Sequence, residues 1–201
     1  SAPLFLMYDV TGSMGQRPGV MFSKAPYIIH EARTEYLGAD AAIGVGAFGD
    51  ANSDTYPLQV HKKFIDCTVR DPSDVAKRAE ELKDAHTALV IEGGGGGQIK
   101  ESAELAALYL ARNVDMPNAV RPICVFITDE KPYDAVERAQ AAAHAHVALE
   151  ADLPVEQVFA ELKRKFAVYA IVLPYSGGGD SATTREVRQR WTEILGADHI
   201  A

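Results

Sequence analysis

Short apolar runs alternate along this chain with longer segments whose apolar residues recur every three or four positions. The runs have the length of buried strands and cover residues 4–9, 41–48, 123–128 and 167–173. The longer segments predict helices over 18–37, 71–83, 98–113, 133–149, 154–166 and 182–195. Strands that alternate with helices predict an α/β fold, a doubly wound (Rossmann-like) and mostly parallel sheet with helices on both faces.

One segment departs from this alternation. Residues 56–65 alternate apolar and polar side chains, and the loop before them is too short for a parallel crossover. They predict one antiparallel edge strand, which Lys62 and Lys63 would protect from pairing with another chain.

Polar side chains follow two of the apolar runs where those runs end. Asp9, Thr11 and Ser13 form a D-x-T-x-S pattern after the first run, and Thr128 and Asp129 close a later one. On a turn just past a strand, such oxygen-bearing side chains can converge on one hard cation, and Mg²⁺ prefers oxygen ligands. The alternative is that Asp9 and Ser13 only cap the following helix. In either case, Asp9 is expected at an exposed strand end.

These two motifs resemble a known family. The segments Asp-Val-Thr-Gly-Ser-Met-Gly and Ile-Thr-Asp-Glu-Lys-Pro, in this order of elements, are similar to the von Willebrand factor type A (vWA) domain and its metal-ion-dependent adhesion site (MIDAS). The resemblance implies a site for Mg²⁺ or Mn²⁺ formed by Asp9, Thr11 and Ser13, with Asp129 acting through water. It also implies the strand order 3-2-1-4-5, with the first and fourth strands adjacent at the point where ligands bind such sheets.

The loop between the two motifs departs from the family pattern. Family members add a Thr or an Asp there, whereas this chain has five consecutive glycines, and Gly96 stands at the ligand position. The loop would then contribute backbone groups, water, or a neighbouring side chain from Gln98, Glu101 or Ser102. Whether the site binds metal without that ligand is left open by the sequence.

The resemblance implies a function in protein interaction. The expected module is non-enzymatic and uses its cation to bind a carboxylate of a partner protein, because a divalent cation is the largest local charge in such a site. Met14, Asp50 and Tyr133 are predicted to lie on the partner-binding rim.

Two other functions compete with this interpretation. A metal-dependent phosphohydrolase can also carry a carboxylate after its first strand, but its D-x-D-x-T pattern requires an Asp where this chain has Thr11. A degenerate vWA domain that binds its partner without metal is favoured by the all-glycine loop.

Composition further limits the domain organisation, the partners and the location that can be expected of this protein. The 201 residues are 47% hydrophobic, which predicts a single domain over 1–201, and we expect it to be excised from a longer, multidomain protein. A net charge of -8 argues against nucleic acid and anionic membranes as partners. The two cysteines, Cys67 and Cys124, lie far apart and form no disulfide framework, which favours a cytoplasmic location.

Overall fold

The computed structural model describes residues 2–61, 63–93, 98–120, 122–178 and 181–201. Its central sheet contains five main strands in the order β5-β4-β1-β2-β3. Their bounds are Ala2–Asp9 (β1), Ala41–Phe48 (β2), Leu58–Val60 (β3), Ile123–Thr128 (β4) and Ala167–Val172 (β5). The first, second, fourth and fifth strands are parallel, and β3 pairs antiparallel with β2. The predicted fold class and strand order are therefore confirmed.

Six helices cover the two faces of the sheet within the described ranges. They are Arg17–Ser23 (α1), Ala25–Glu31 (α2), Pro72–Thr87 (α3), Ala103–Asn113 (α4), Val155–Lys163 (α5) and Ala182–Leu195 (α6). Shorter helical segments are the 3-10 turns Gly12–Met14, Tyr175–Gly177 and Ala197–His199, the turn Arg138–Gln140, and the π-helical turns Ala32–Tyr36 and Ala141–Ala145. Within these ranges, no helix combines the length and the apolar character that a membrane span requires.

Two-residue strands complete the fold. Ile65–Asp66 extends the antiparallel edge beside β2. Lys100–Glu101 pairs in parallel with Lys131–Pro132, and Ala135–Val136 pairs antiparallel with Leu153–Pro154. The predicted edge strand over 56–65 is thus two short pieces, and Lys62 lies outside the described residues.

Two helix predictions need correction. The segment 18–37 is not one of them, since its division between α1 and α2, with Pro26 in the first turn of α2, is the break that a proline within a helical pattern predicts. The helix predicted from 98 begins at Ala103, because Ile99 has a positive φ of 58° and the next two residues form a strand. The helix predicted over 133–149 is also wrong. Its first residues pair with Leu153–Pro154, and helical structure is confined to residues 138–145.

The core is divided between the two faces of the sheet. In β1, Phe5 and Met7 pack on one side with α4, α5 and α6, and Leu6 and Tyr8 pack on the other with α2 and α3. This alternation follows from the twofold period of a strand, and burial on both sides is typical of a central parallel strand. Trp191 is fully buried, as predicted, and its indole N–H donates to the Glu130 carbonyl at 2.9 Å.

Two glycines in β2 allow this packing. A Cβ on Gly44 would lie 2.5 Å from the Phe5 ring, and one on Gly46 would lie 2.7 Å from the Met7 sulfur. These distances are too short for any side chain, so the large residues of β1 require glycine beside them.

A buried histidine links β1 to α3. The Nε2 atom of His86 lies 3.0 Å from the Tyr8 hydroxyl, and its ring stacks on Phe22 at 4.9 Å between centroids. Burial lowers the pKa of His86 from 6.5 to about 4. The native state therefore keeps this imidazole neutral at a pH where the unfolded chain binds a proton.

We predict that His86→Gln reduces the loss of stability on acidification. In the wild type, stability from neutral His86 is present above pH 6.5 and is lost as pH falls towards 4. Relative to the variant, the wild type should lose about 2 kcal/mol of unfolding free energy between about pH 7.5 and about pH 5. Urea unfolding at both pH values measures the difference. Tyr8→Phe, which retains His86, should keep the wild-type pH dependence, and equal slopes in all three proteins would contradict the assignment.

Candidate metal site

The end of β1 forms a compact turn around one buried carboxylate. The Thr11 backbone N–H and hydroxyl both donate to Oδ1 of Asp9, at 3.1 Å and 2.6 Å. The 3-10 turn Gly12–Met14 then brings the Ser13 hydroxyl to 3.3 Å from that of Thr11. The D-x-T-x-S spacing therefore gathers its three oxygen-bearing side chains at one point.

The end of β4 joins the same cluster. Because β1 and β4 are parallel neighbours, with Tyr8 opposite Ile127, their carboxyl ends meet at one edge of the sheet. Thr128 donates its hydroxyl to Oδ2 of Asp9 at 2.6 Å, and Ser13 donates to Oδ1 of Asp129 at 2.7 Å. The structure thus brings together all four residues that the sequence nominated as metal ligands, Asp9, Thr11, Ser13 and Asp129.

Asp9 does not lie at an exposed strand end as expected. Its relative exposure is 0%, because the turn after β1 and the end of β4 enclose it. Burial raises the pKa of Asp9 to about 6, against the opposing effect of its hydrogen bonds from Thr11 and Thr128. A bound cation would favour the ionised carboxylate that burial disfavours.

The third-loop candidates differ in where they lie. Gly96 is outside the described residues, and Gln98 is exposed. Ser102 is buried, but its hydroxyl accepts a hydrogen bond from the Ala51 N–H at 2.9 Å, so it supports the loop after β2. Glu101 is 1% exposed and lies close enough to Asp9 to interact with its charge. Of these side chains, that of Glu101 is the one placed at the site.

Buried acids surround this centre. Burial and, after it, the charge of Asp9 raise the pKa of Glu101 and that of Glu130, and Glu130 lies close enough to Ser13 and Glu101 to interact with both. Burial also raises the pKa of Glu104 to about 8. Among the described residues, Oε2 of Glu101 and Oε1 of Glu104 have no hydrogen-bond partner. The site therefore has buried oxygen atoms with unused capacity for a cation or a proton.

Arg17 at the start of α1 brings a positive charge to the same place. Its Nη1 lies 3.3 Å from Oδ2 of Asp129, and its Nη2 donates to the Pro174 carbonyl at 2.8 Å. The Ser176 N–H donates to the same Asp129 oxygen at 2.9 Å. Arg17 thereby fastens the loop after β5 to the end of β4.

The predicted rim is only partly at the surface. Met14 and Asp50 are both 1% exposed, so their side chains are not available to a partner in this structure. Tyr133 is partly exposed and donates its hydroxyl to Asp50 at 3.0 Å. Beside the site lies a mainly apolar cavity of about 510 Å³, whose lining includes Arg17, Met21 and Leu173.

Sequence reasoning missed two contributors and gave no separate role to a third. Glu104 accepts the Tyr133 N–H at 3.0 Å, and Arg17 pairs with Asp129. Thr128 was recognised at its strand end but not among the nominated ligands, and it donates to Asp9. The available signal was weak, since a Thr at the end of a buried strand and acidic residues at the start of a helix are common. These residues became recognisable only when the strand ends met.

The donor set fits a small, hard cation. All four nominated side chains present oxygen, and their hydrogen-bonded neighbours are separated by 2.6 Å, 3.3 Å and 2.7 Å. Adjacent ligands of octahedral Mg²⁺ lie about 3 Å apart, given metal–oxygen distances of about 2.1 Å. Across the described ranges, no group of three or more His, Cys, Asp or Glu side chains could hold a metal ion. Only two of the four nominated donors belong to these residue types, since the other two are hydroxyls.

The chain shares its fold with solved structures of low sequence identity. A crystal structure of the pilus adhesin SpaC from Lactobacillus rhamnosus GG matches with a TM-score of 0.66 and 14% identity, over 100% of this chain and 28% of that chain. The open conformation of SpaC matches with a TM-score of 0.61 and 13% identity, over 99% of this chain and 27% of that chain. Proximal thread matrix protein 1 from the mussel byssus matches with a TM-score of 0.53 and 15% identity, over 86% of this chain and 38% of that chain.

These similarities establish the fold alone. The chain spans less than two fifths of the length of each of these proteins, at 28%, 27% and 38%. No family model and no curated protein matches the chain.

We predict that the unfolding free energy of Glu104→Gln falls less than that of the wild type as pH rises. The folded pKa of Glu104 is about 8, against 4.5 for the unfolded group, so its contribution is present below 4.5 and is lost as pH rises towards 8. Relative to the variant, the wild type should lose about 3 kcal/mol between about pH 5 and about pH 7.5. Urea unfolding measures the effect, and Glu150→Gln, at an exposed position, is the control. An equal pH dependence in wild type and variant would refute the assignment.

Proposed function

We propose that this chain is a vWA-type interaction domain whose MIDAS-like site binds Mg²⁺ or Mn²⁺ and, through it, a carboxylate of a partner protein. The observation that carries the proposal is the continuous hydrogen-bonded series from Asp9 through Thr11 and Ser13 to Asp129, at the edge where β1 and β4 end together. Ligands bind open α/β sheets at such a point.

The buried charge around the site supports a cation. Asp9, Asp129, Glu101 and Glu130 are all nearly inaccessible, and burying several carboxylates without counter-charge is costly. Raised pKa values of Asp9, Glu101 and Glu130 reflect this cost. A dication would offset it more strongly than protons shared among these groups.

Each nominated residue has a distinct part in this proposal. Asp9, Thr11 and Ser13 would hold the cation, and Asp129 would act through water. When bound, the cation would supply an open coordination position for an acidic side chain of the partner. Glu101 interacts with Asp9 through its charge, and because Asp9, Asp129 and Glu101 do not form a group that could hold a metal ion directly, its proposed part is to act through water.

Protein interaction is favoured over hydrolysis. The Thr11 hydroxyl donates to Asp9, so the position where a phosphohydrolase would carry its second carboxylate is occupied by a hydroxyl. SpaC is a pilus adhesin, and adhesion is an interaction function. We therefore propose an interaction domain in preference to an enzyme.

A second candidate, a domain that binds its partner without metal, is favoured by Arg17. The guanidinium already lies 3.3 Å from Asp129, so part of the acidic charge has a counter-ion within the chain. Because the Arg17 side chain is 27% exposed, it could itself contact a partner's carboxylate. The two candidates differ in whether the dication or Arg17 recruits that group.

We predict that Asp9→Asn abolishes divalent binding. The variant removes a ligand charge but keeps the size and most hydrogen bonds of a fully buried side chain, so it suits this position better than alanine. Mg²⁺ and Mn²⁺ affinity should fall by roughly 100-fold or more. Calorimetric titration of chelator-treated protein measures the loss, with circular dichroism to verify folding and Asp198→Asn as an exposed control. Unchanged affinity of a folded Asp9→Asn protein for Mg²⁺ and Mn²⁺ would contradict the assignment of the metal site.

We predict that Arg17→Gln strengthens metal binding. The substitution removes a positive charge that opposes a dication and frees one oxygen of Asp129. Mg²⁺ affinity should rise by roughly three- to tenfold at low salt, and the gain should shrink as salt screens the charge. The same titration measures it, with Arg164→Gln as an exposed control. If neither wild type nor Arg17→Gln binds a dication, the metal-free candidate is the better one.

A further inference from the structure

The amino-terminal edge of the sheet, opposite Asp9, carries two exposed tyrosines. Tyr27 on α2 is 63% exposed, and Tyr36, in the turn after it, is 79% exposed. They border an apolar cavity of about 330 Å³, whose lining also includes Leu4, Ile28, Leu37 and Ile123. The cavity and its lining residues are here called the tyrosine surface. Aromatic and apolar side chains in this number at one open cavity are typical of an interaction site.

The backbone at this surface has an uncommon form. Residues Ala32–Tyr36 form a π-helical turn, and the Leu37 N–H donates to the Ala32 carbonyl at 2.7 Å. π-helical turns are rare and occur frequently at functional sites. Here the widened turn ends at Tyr36, the more exposed of the two aromatic residues.

Acidic groups flank the aromatic rings. Glu31 lines the cavity beside Tyr27. The interaction of the Tyr27 hydroxyl with Glu31, together with the charge of Glu35, raises the pKa of Tyr27. Over residues 31–36, Glu31 and Glu35 outnumber the basic residue Arg33, so the net charge beside the rings is negative and favours a cationic group over nucleic acid or anionic lipid.

We propose that the tyrosine surface binds an arginine or lysine side chain of a partner protein, with an adjacent apolar residue of the same partner filling the cavity. The cation would lie against the faces of Tyr27 and Tyr36, where the ring quadrupole attracts it. Glu31 and Glu35 would pair with its charge, and Leu4, Ile28 and Leu37 would contact the apolar neighbour.

This inference is independent of the metal site. Leu4 and Ile123 stand near the amino ends of β1 and β4, whereas Asp9 and Asp129 follow their carboxyl ends. The two sites would select opposite charges, a basic group at one end of the sheet and an acidic group at the other. If the experiments contradict one of these two proposed sites, the proposal of the other is unaffected.

The test uses peptides as probes. Protein labelled with ¹³C in its aromatic rings is titrated with acetyl-Leu-Arg-Leu-amide and, separately, with acetyl-Leu-Glu-Leu-amide, and NMR shifts are followed. We expect the arginine peptide to shift the Tyr27 and Tyr36 resonances and the glutamate peptide to leave them unchanged. Binding should weaken by roughly fivefold in Tyr36→Ala, the loss of about one cation–π contact. Tyr56→Ala, which removes a tyrosine that is 52% exposed elsewhere, should bind normally.

Further variants separate the contributions. Glu31→Gln with Glu35→Gln should reduce the preference for arginine over norleucine at the central peptide position, and added salt should do the same to the wild type. Equal shifts with both charged peptides, or an affinity for the arginine peptide that is unchanged in Tyr36→Ala, would overturn the proposal. Concentration-dependent dimerisation lost in Tyr36→Ala, without any peptide shifts, would replace the basic partner with a second copy of this chain.

Discussion

The burial of the Asp9 carboxylate where β1 and β4 end is the constraint on which the site depends. A carboxylate with no access to water needs hydrogen-bond donors held at fixed positions, because the charge has no other compensation. Thr11 and Thr128 supply them, at 2.6 Å to opposite oxygens of Asp9. Their placement in turn requires the parallel register of the two strands and the tight turn after β1.

The negative charge of the acids around Asp9 can be compensated in three ways. Glu101 and Glu130 can bind protons, the Arg17 guanidinium pairs with Asp129, and a dication could bind at the site. They differ in how they affect a partner. A dication or an exposed guanidinium can recruit an acidic side chain, whereas protonated carboxyls cannot. The charge state of this edge of the sheet therefore connects its stability to the proposed interaction.

The fold was largely predictable because its signals are local and repeated. Residues 41–48 and 182–195 form the strand and the helix expected from their apolar patterns, and the order of the five strands agrees with that expected from the vWA resemblance. The prediction of a helix over the alanine-rich segment 133–149 was wrong for the opposite reason. Its local helix propensity was overridden by the pairing of Ala135–Val136 with Leu153–Pro154, a contact between residues distant along the chain.

The sequence by itself determined which oxygen-bearing side chains end the first and fourth strands, because a strand's length and its terminal polar residues are written in consecutive positions. Only the tertiary structure decided that Asp9 is enclosed and that Glu101, Glu130 and Arg17 join its surroundings. These depend on contacts between segments far apart in the chain, such as the 112 positions that separate Arg17 from Asp129. Burial, and with it the pKa of a carboxyl group, is a property of the assembled neighbours and not of the motif.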